Sequence, residues 1–198
     1  CYRECRRIRE EFLDVSFREQ VEIFINNIDN GLVERLDEAT ILEVVRTYAD
    51  SFWVYPPVPH TDAQAVLRDV KDMGLGIGLI SNTGMTPGET FRQYMDQQGL
   101  LKYFDVLTFS DEVKISKPAE EIFHMTLSSL GATPAQTVHV GDHVKNDVVG
   151  ANRCGLKTVW ITGFYENEDP SDPDTQPDET VDSLGQVAQA IARLTGRG

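Results

Sequence analysis

HVGDHVKNDVVGA, residues 139–151, is the stretch on which the reading of this chain turns. It begins inside a short apolar run, TVHV (137–140), and ends in residues with helical spacing. Asp142 and Asp147 stand at the changeover, and Gly141 precedes the first of them. Two carboxylates at the mouth of a strand can cap the helix that follows, whose N-terminus favours negative charge. They can equally hold a divalent cation that takes oxygen ligands. The surrounding chain has to decide between the two.

Outward from this stretch, apolar runs of strand length alternate with amphipathic segments. LGIGLI (75–80), FDVLTF (104–109), TVHV and LKTVWI (156–161) read as strands. Thr61 to Gln64 reads as a capping box opening a helix with Ala63, Val66, Leu67, Val70 and Met73 on one face. Thr86-Pro87-Gly88-Glu89 reads as a second helix start. Further helices are expected over 119–130, near 145–154 and near 181–194. Short apolar strands alternating with helices mean a parallel sheet covered on both faces, a Rossmann-like three-layer α/β/α fold.

Residues 1–55 follow another rule. Three helical stripes appear: Ile8, Phe12 and Val15; then Val21, Phe24, Ile25 and Ile28; then Ile41, Leu42, Val45, Tyr48, Ala49 and Phe52. VYPPVPH (54–60) cannot continue a helix, so it reads as a linker. The expected organisation is a small helical unit over 1–56 and an α/β core over 57–198. Residues 166–180, acidic and proline-rich, read as an exposed loop.

Ligands of open parallel sheets bind beyond the carboxyl ends of the strands. The first strand delivers Ser81-Asn82-Thr83-Gly84 there. The second leads through Ser110, Asp111 and Glu112 to Lys117-Pro118, and the third delivers Asp142 and Asp147. A hydroxyl, an ammonium and two carboxylates suit a phosphoryl group held with Mg²⁺. Each group alone has a plainer reading: a strand-to-helix turn, a surface lysine, capping carboxylates. Asp111 and Glu112 read as solvated or supporting acids, His139 as a packed residue, and His143 as a weak substrate contact. The weight lies in order and spacing together.

ISNTG (80–84), KPAEEIF (117–123) and VGDHVKNDVVGA (140–151) resemble motifs II, III and IV of the haloacid dehalogenase-like (HAD) hydrolase superfamily. FDVLTFSDEVKISKP (104–118) resembles its central segment, and residues 1–55 look like the helical cap of the subclass whose cap follows the first motif. The resemblance implies that Ser81 binds the transferring phosphoryl group and Asn82 helps to position it. It implies that Lys117 neutralises charge, that Asp142 ligates Mg²⁺, and that Asp147 ligates through water or orients Asp142. Ala119-Glu120 and His143 depart from the family pattern without removing a group the chemistry needs.

The family's reaction also needs a nucleophilic aspartate in motif I, an apolar strand ending in DxDx[TV], which forms an aspartyl-phosphate. The nearest string, Asp172-Pro173-Asp174-Thr175, lies in the acidic loop with no apolar strand before it. The chain opens on Cys1 inside what looks like the cap, so the expectation is a fragment lacking that segment and its strand. A gap should then separate the strands carrying motifs II and IV, and the chain as written should be inactive. Retention of Ser81, Lys117, Asp142 and Asp147 together favours a phosphatase of a small phosphate ester. The alternatives are a non-catalytic HAD-fold binding or regulatory protein, a phosphomutase or a dehalogenase.

Composition narrows the partners. Among 198 residues, 40% are hydrophobic and 25% charged, with a formal net charge of −14. That charge speaks against a nucleic-acid partner. No apolar run approaches the roughly 20 residues needed to cross a bilayer, so no membrane partner is expected. Three cysteines, Cys1, Cys5 and Cys154, form no even framework and read as reduced thiols of a cytoplasmic protein.

Overall fold

The structure, a computed structural model, describes residues 2–164 and 175–197. Most of the acidic stretch, and Asp172, Pro173 and Asp174 within it, lie outside the described residues.

The helical N-terminal part contains α1 (Tyr2–Glu10), α2 (Phe17–Ile28) and α3 (Glu38–Asp50). Its core is Phe17, Val21 and Ile25 of α2 packed with Leu36, Val44, Val45 and Tyr48. The capping box in this part is formed by Ser16 and Glu19: Glu19 N donates to Ser16 Oγ, and Ser16 N donates to Glu19 Oε2 at 2.7 Å. The first expected stripe is not one helix. α1 stops at Glu10, Phe12 takes a left-handed φ of 63°, and Leu13 forms an antiparallel bridge to Ile115. Phe24 and Ile28 of the second stripe are exposed, so the apolar face is wider than the surface it buries.

A one-turn 3₁₀ helix, Ser51–Val54, joins this part to the α/β region through aromatic rings. Phe52 meets Phe91 and Tyr94 edge-on at 5.7 and 5.5 Å between centroids, and Phe91 stacks on Phe109 at 6.2 Å. Over the proline-rich linker the Tyr94 hydroxyl donates to the Pro57 carbonyl.

The α/β region runs α4 (Ala63–Asp72), β1 (Gly78–Ser81), α5 (Gly88–Gln97), β2 (Val106–Phe109), α6 (Ser110–Val113), α7 (Glu120–Leu130), β3 (Val138–Gly141), α8 (Gly150–Arg153), β4 (Lys157–Ile161), β5 (Glu179–Val181) and α9 (Val187–Thr195). The expected capping box at Thr61–Gln64 does not form. Asp62 stands at the N-cap of α4 without a side-chain capping bond, and α5 likewise starts after Pro87 without one. β5 was not legible in the sequence. It is three residues long beside an acid-rich stretch, too short for a period-2 signal, and is held by Asp178, whose Oδ2 accepts from Thr158 N at 2.8 Å. The last helix accordingly starts at Val187 rather than near residue 181.

All strand pairs among these five are parallel, as expected, but they form two sheets. β1 pairs with β2, and β3, β4 and β5 pair in that order. Among the described residues no strand bonds β1 to β3. The two sheets nevertheless share cores on both faces. Val66 and Val70 of α4 and Ile191 of α9 pack with Ile77, Val138, Val140 and Val159 on one side. Ile122, Phe123 and Leu127 of α7 pack with Ile80, Ala151 and Leu156 on the other. This is the three-layer arrangement, with the expected gap between the strands that end in Ser81 and Gly141.

Candidate active site

The carboxyl ends of β1 and β3 flank that gap, and the polar residues cluster there. Ser81 closes β1, and Asn82 follows it. The Asn82 amide clamps the Lys117 backbone on both sides: Lys117 N donates to Asn82 Oδ1 at 2.8 Å, and Asn82 Nδ2 donates to the Lys117 carbonyl at 3.0 Å. Asn82 therefore fixes the backbone from which the lysine reaches. The Lys117–Pro118 peptide is cis.

Lys117 Nζ donates to Asp147 Oδ1 at 2.6 Å, with the two side chains 13% and 5% exposed. Asp147 lies on a π-helical segment, Val144–Val149, rather than on a regular α-helix. Such widened turns recur at functional sites. Its Oδ2 accepts from His143 N at 3.0 Å, and His139 Nε2 lies 3.1 Å from Oδ1. Close approach is possible because residue 141 is glycine. A Cβ there would stand 2.2 Å from Asp147 Cγ.

His139 is a packed residue, as read from the sequence, but it also partners the carboxylate. Alternation along β3 turns Val138 and Val140 to the α4/α9 face and His139 to the α7 face, where its ring meets Phe123 edge-on at 5.1 Å. Burial pulls the imidazole pKa below its ordinary value; the Asp147 carboxylate opposes this in part. For Asp147 burial disfavours charge, yet the His139 hydrogen bond and the Lys117 ammonium together outweigh it. Its carboxyl is held well below the usual carboxylate range.

Asp142 ends the strand run at the gap and is half-buried. Its carbonyl accepts from Trp160 Nε1 of β4 at 3.2 Å, which anchors the backbone. The donor set suits Mg²⁺ through oxygen ligands. Asp142 offers a carboxylate at this edge. Both Asp147 oxygens already accept from Lys117, His143 and the His139 edge, so Asp147 suits an orienting or water-mediated role.

A second network, which sequence reasoning missed, supports the β1 loop from the helical part. Thr83 N donates to Ser110 Oγ at 3.0 Å, and Ser110 Oγ donates to Asp14 Oδ2 at 2.6 Å. Asp14 also accepts from Arg9 Nε at 3.1 Å and Val15 N at 2.9 Å, and Arg9 Nη2 donates to the Gly84 carbonyl at 2.9 Å. Ser110, Asp14 and Thr83 are all buried. Ser110 had a signal, since it follows a strand at its carboxyl end; Arg9 and Asp14 had none. Of the two readings given for Asp111, solvated or supporting, the structure favours the second: it is buried, its Oδ2 accepts from Gly88 N, and burial lifts its carboxyl above the ordinary value. Glu112 pairs with Arg92 at the surface.

A sequence model of the family described as haloacid dehalogenase-like hydrolase matches residues 4–161. The chain belongs to the haloacid dehalogenase-like hydrolases. It is 33% identical over 164 residues to a phosphoserine phosphatase of Thermus thermophilus, covering 80% of this chain and 63% of that protein. It is 26% identical over 196 residues to a glyceraldehyde 3-phosphate phosphatase of Methanopyrus kandleri, covering 98% of this chain and 79% of that protein. The chain thus spans less than two thirds of the first of these HAD relatives. Among solved structures, a HAD phosphatase from Thermococcus onnurineus superposes with a TM-score of 0.61 at 26% identity, covering 88% of this chain and 77% of that one.

Proposed function

We propose that this chain is the greater part of a Mg²⁺-dependent phosphohydrolase that acts on a small phosphate ester through an aspartyl-phosphate. The observation that carries the reading is Lys117, clamped by Asn82 next to Ser81 and held against a buried, ionised Asp147 five residues after Asp142. Phosphatase names among its relatives support the reaction class. When bound, Mg²⁺ would supply positive charge to the phosphoryl oxygens, with Asp142 to hold it.

This chain's own residues do the rest. Ser81 offers a hydroxyl donor to the phosphoryl oxygens. Lys117, aimed by the Asn82 clamp, brings a point charge to the same edge. Asp147 keeps that lysine oriented, and His139 and His143 N keep Asp147 in place. The Ser110–Asp14 pair holds the backbone of the loop that follows Ser81. The nucleophilic carboxylate comes from a strand that fits between β1 and β3; the split sheet supports this, as does the lack of an apolar run ending in DxDx[TV]. We assign residues 1–56 as a cap, 57–198 as the core, and the cytoplasm as the location. No helix among the described residues is long and apolar enough to cross a membrane.

The test assays a panel of small phosphate esters with Mg²⁺. It compares the 198-residue chain with the same chain preceded by an apolar strand ending in DxDxT. The expected result is turnover by the extended protein alone, lost on Asp142→Asn and on changing the first aspartate of the added strand. Asp142-dependent turnover by the 198-residue chain would place the nucleophile within it. Absence of turnover from the extended protein would overturn the phosphatase reading.

A further inference from the structure

At the start of α7 a second set of ligating atoms comes together. Glu120 and His124 are one turn apart on α7, a spacing that puts both on one face of the helix. Cys154 follows the last residue of α8. A carboxylate oxygen of Glu120, a ring nitrogen of His124 and the Cys154 sulfur all lie within 4.8 Å of one another. No other such trio occurs among the described residues. Cys154 is buried, and its sulfur lies 3.8 Å from the Glu120 carbonyl, so it faces the first turn of α7. Glu120 and His124 are exposed. Burial, and then the charges of Glu120 and Glu121, push the thiol up to about 11. The sulfur thus faces carboxylates, a setting that a cation would relieve. A pocket of about 330 Å³ lined by Phe12, Pro118, Ala119, Glu120, Glu121 and Arg153 opens on the Glu120 side.

We propose that Glu120, His124 and Cys154 bind one divalent transition-metal ion of the Zn²⁺ class. A sulfur and an imidazole select Zn²⁺ or Co²⁺ over Mg²⁺ and Ca²⁺, which prefer oxygen alone. Tetrahedral bonds of about 2.0–2.3 Å put ligand atoms roughly 3.3–3.6 Å apart, so the trio needs to close by no more than about 1.5 Å. Cys154 is the fixed point, and the two exposed side chains swing to it. On binding, the thiol proton leaves to solvent and the sulfur–metal bond replaces the S–H bond; water takes the fourth position. The ion would tie the start of α7, just after Lys117-Pro118, to the end of α8, just after the turn that carries Asp147. Its role is that of a clamp, independent of the phosphatase reading.

Co²⁺ titrated into the 198-residue chain tests this, because a thiolate–Co²⁺ bond gives its own near-ultraviolet absorption and tetrahedral geometry gives intense visible bands. The expected result is one equivalent bound, displaced by Zn²⁺ and not by excess Mg²⁺, with the absorption lost in Cys154→Ser. Affinity should fall at least tenfold in His124→Asn and in Glu120→Gln. These exposed changes leave the fold intact even where a change at buried Cys154 does not. The bands should persist in a Cys1→Ser/Cys5→Ser double variant and in Asp142→Asn. Absorption that survives Cys154→Ser overturns the proposal. So does absorption that needs Cys154 but ignores both Glu120 and His124, since that describes a lone-thiol adduct.

Discussion

Replacing Lys117 by methionine keeps the length of the side chain and removes its charge. In the native structure the ammonium sits 2.6 Å from an Asp147 carboxylate that is 5% exposed. Removing one partner of a buried ion pair costs about 3–5 kcal/mol, because the remaining charge is left uncompensated. Asp147 would keep the His143 N–H and the His139 ring, so the lower end, about 3 kcal/mol, is expected. That is a large share of a typical stability of about 5–15 kcal/mol. Urea unfolding at pH 7.5 in the presence of a chelator measures it without interference from bound cations. The double variant Lys117→Met/Asp147→Asn should be more stable than Lys117→Met alone, since the stranded charge has gone. The pH dependence has a fixed sign. Asp147 has a depressed folded pKa, so its contribution is present above the unfolded carboxylate value of about 3.9 and is lost as pH falls through the lower folded value. Without Lys117 that depression shrinks, so the gap between native and variant should narrow as pH falls below about 4, through the variant's own folded value. A loss under about 1 kcal/mol at pH 7.5, a gap that widens on acidification, or additive effects in the double variant would each refute the reasoning.

Two further substitutions test the supports of the site. Gly141→Ala puts a methyl group 2.2 Å from Asp147 Cγ, and overpacking of this kind costs about 1–3 kcal/mol; urea unfolding should show the loss, and the His139 ring proton resonances should shift as its partner is pushed away. Ser110→Ala removes the donor to Asp14 Oδ2 and the acceptor for Thr83 N, both buried, which should lower the unfolding free energy by about 1–3 kcal/mol. An unchanged urea midpoint for either variant would show that the contact it removes does not hold the loop.

The order of most elements is legible in the sequence. Apolar runs and helical stripes are local signals, and parallel strands deliver their following residues to one edge whatever the details between them. That is why Lys117 and Asp147, 30 positions apart in the chain, were expected at one edge, where they pair. Local signals also misled where packing overrode them. Phe12 continues a stripe in the sequence but sits in a left-handed turn, because Leu13 pairs with Ile115. The motif at Thr61–Gln64 has the residues of a capping box without the bonds.

Fold class and the identity of the charged groups follow from this sequence alone, because they depend on periodicity and on which residue closes each strand. The tertiary structure decided how those groups are held. Asn82 turns out to clamp Lys117, and His139 shares Asp147 with that lysine. Asp14 braces Ser110 from 96 residues away. Such partnerships join segments distant in the chain, and hydrogen-bond complementarity between distant segments leaves no periodic trace in either one.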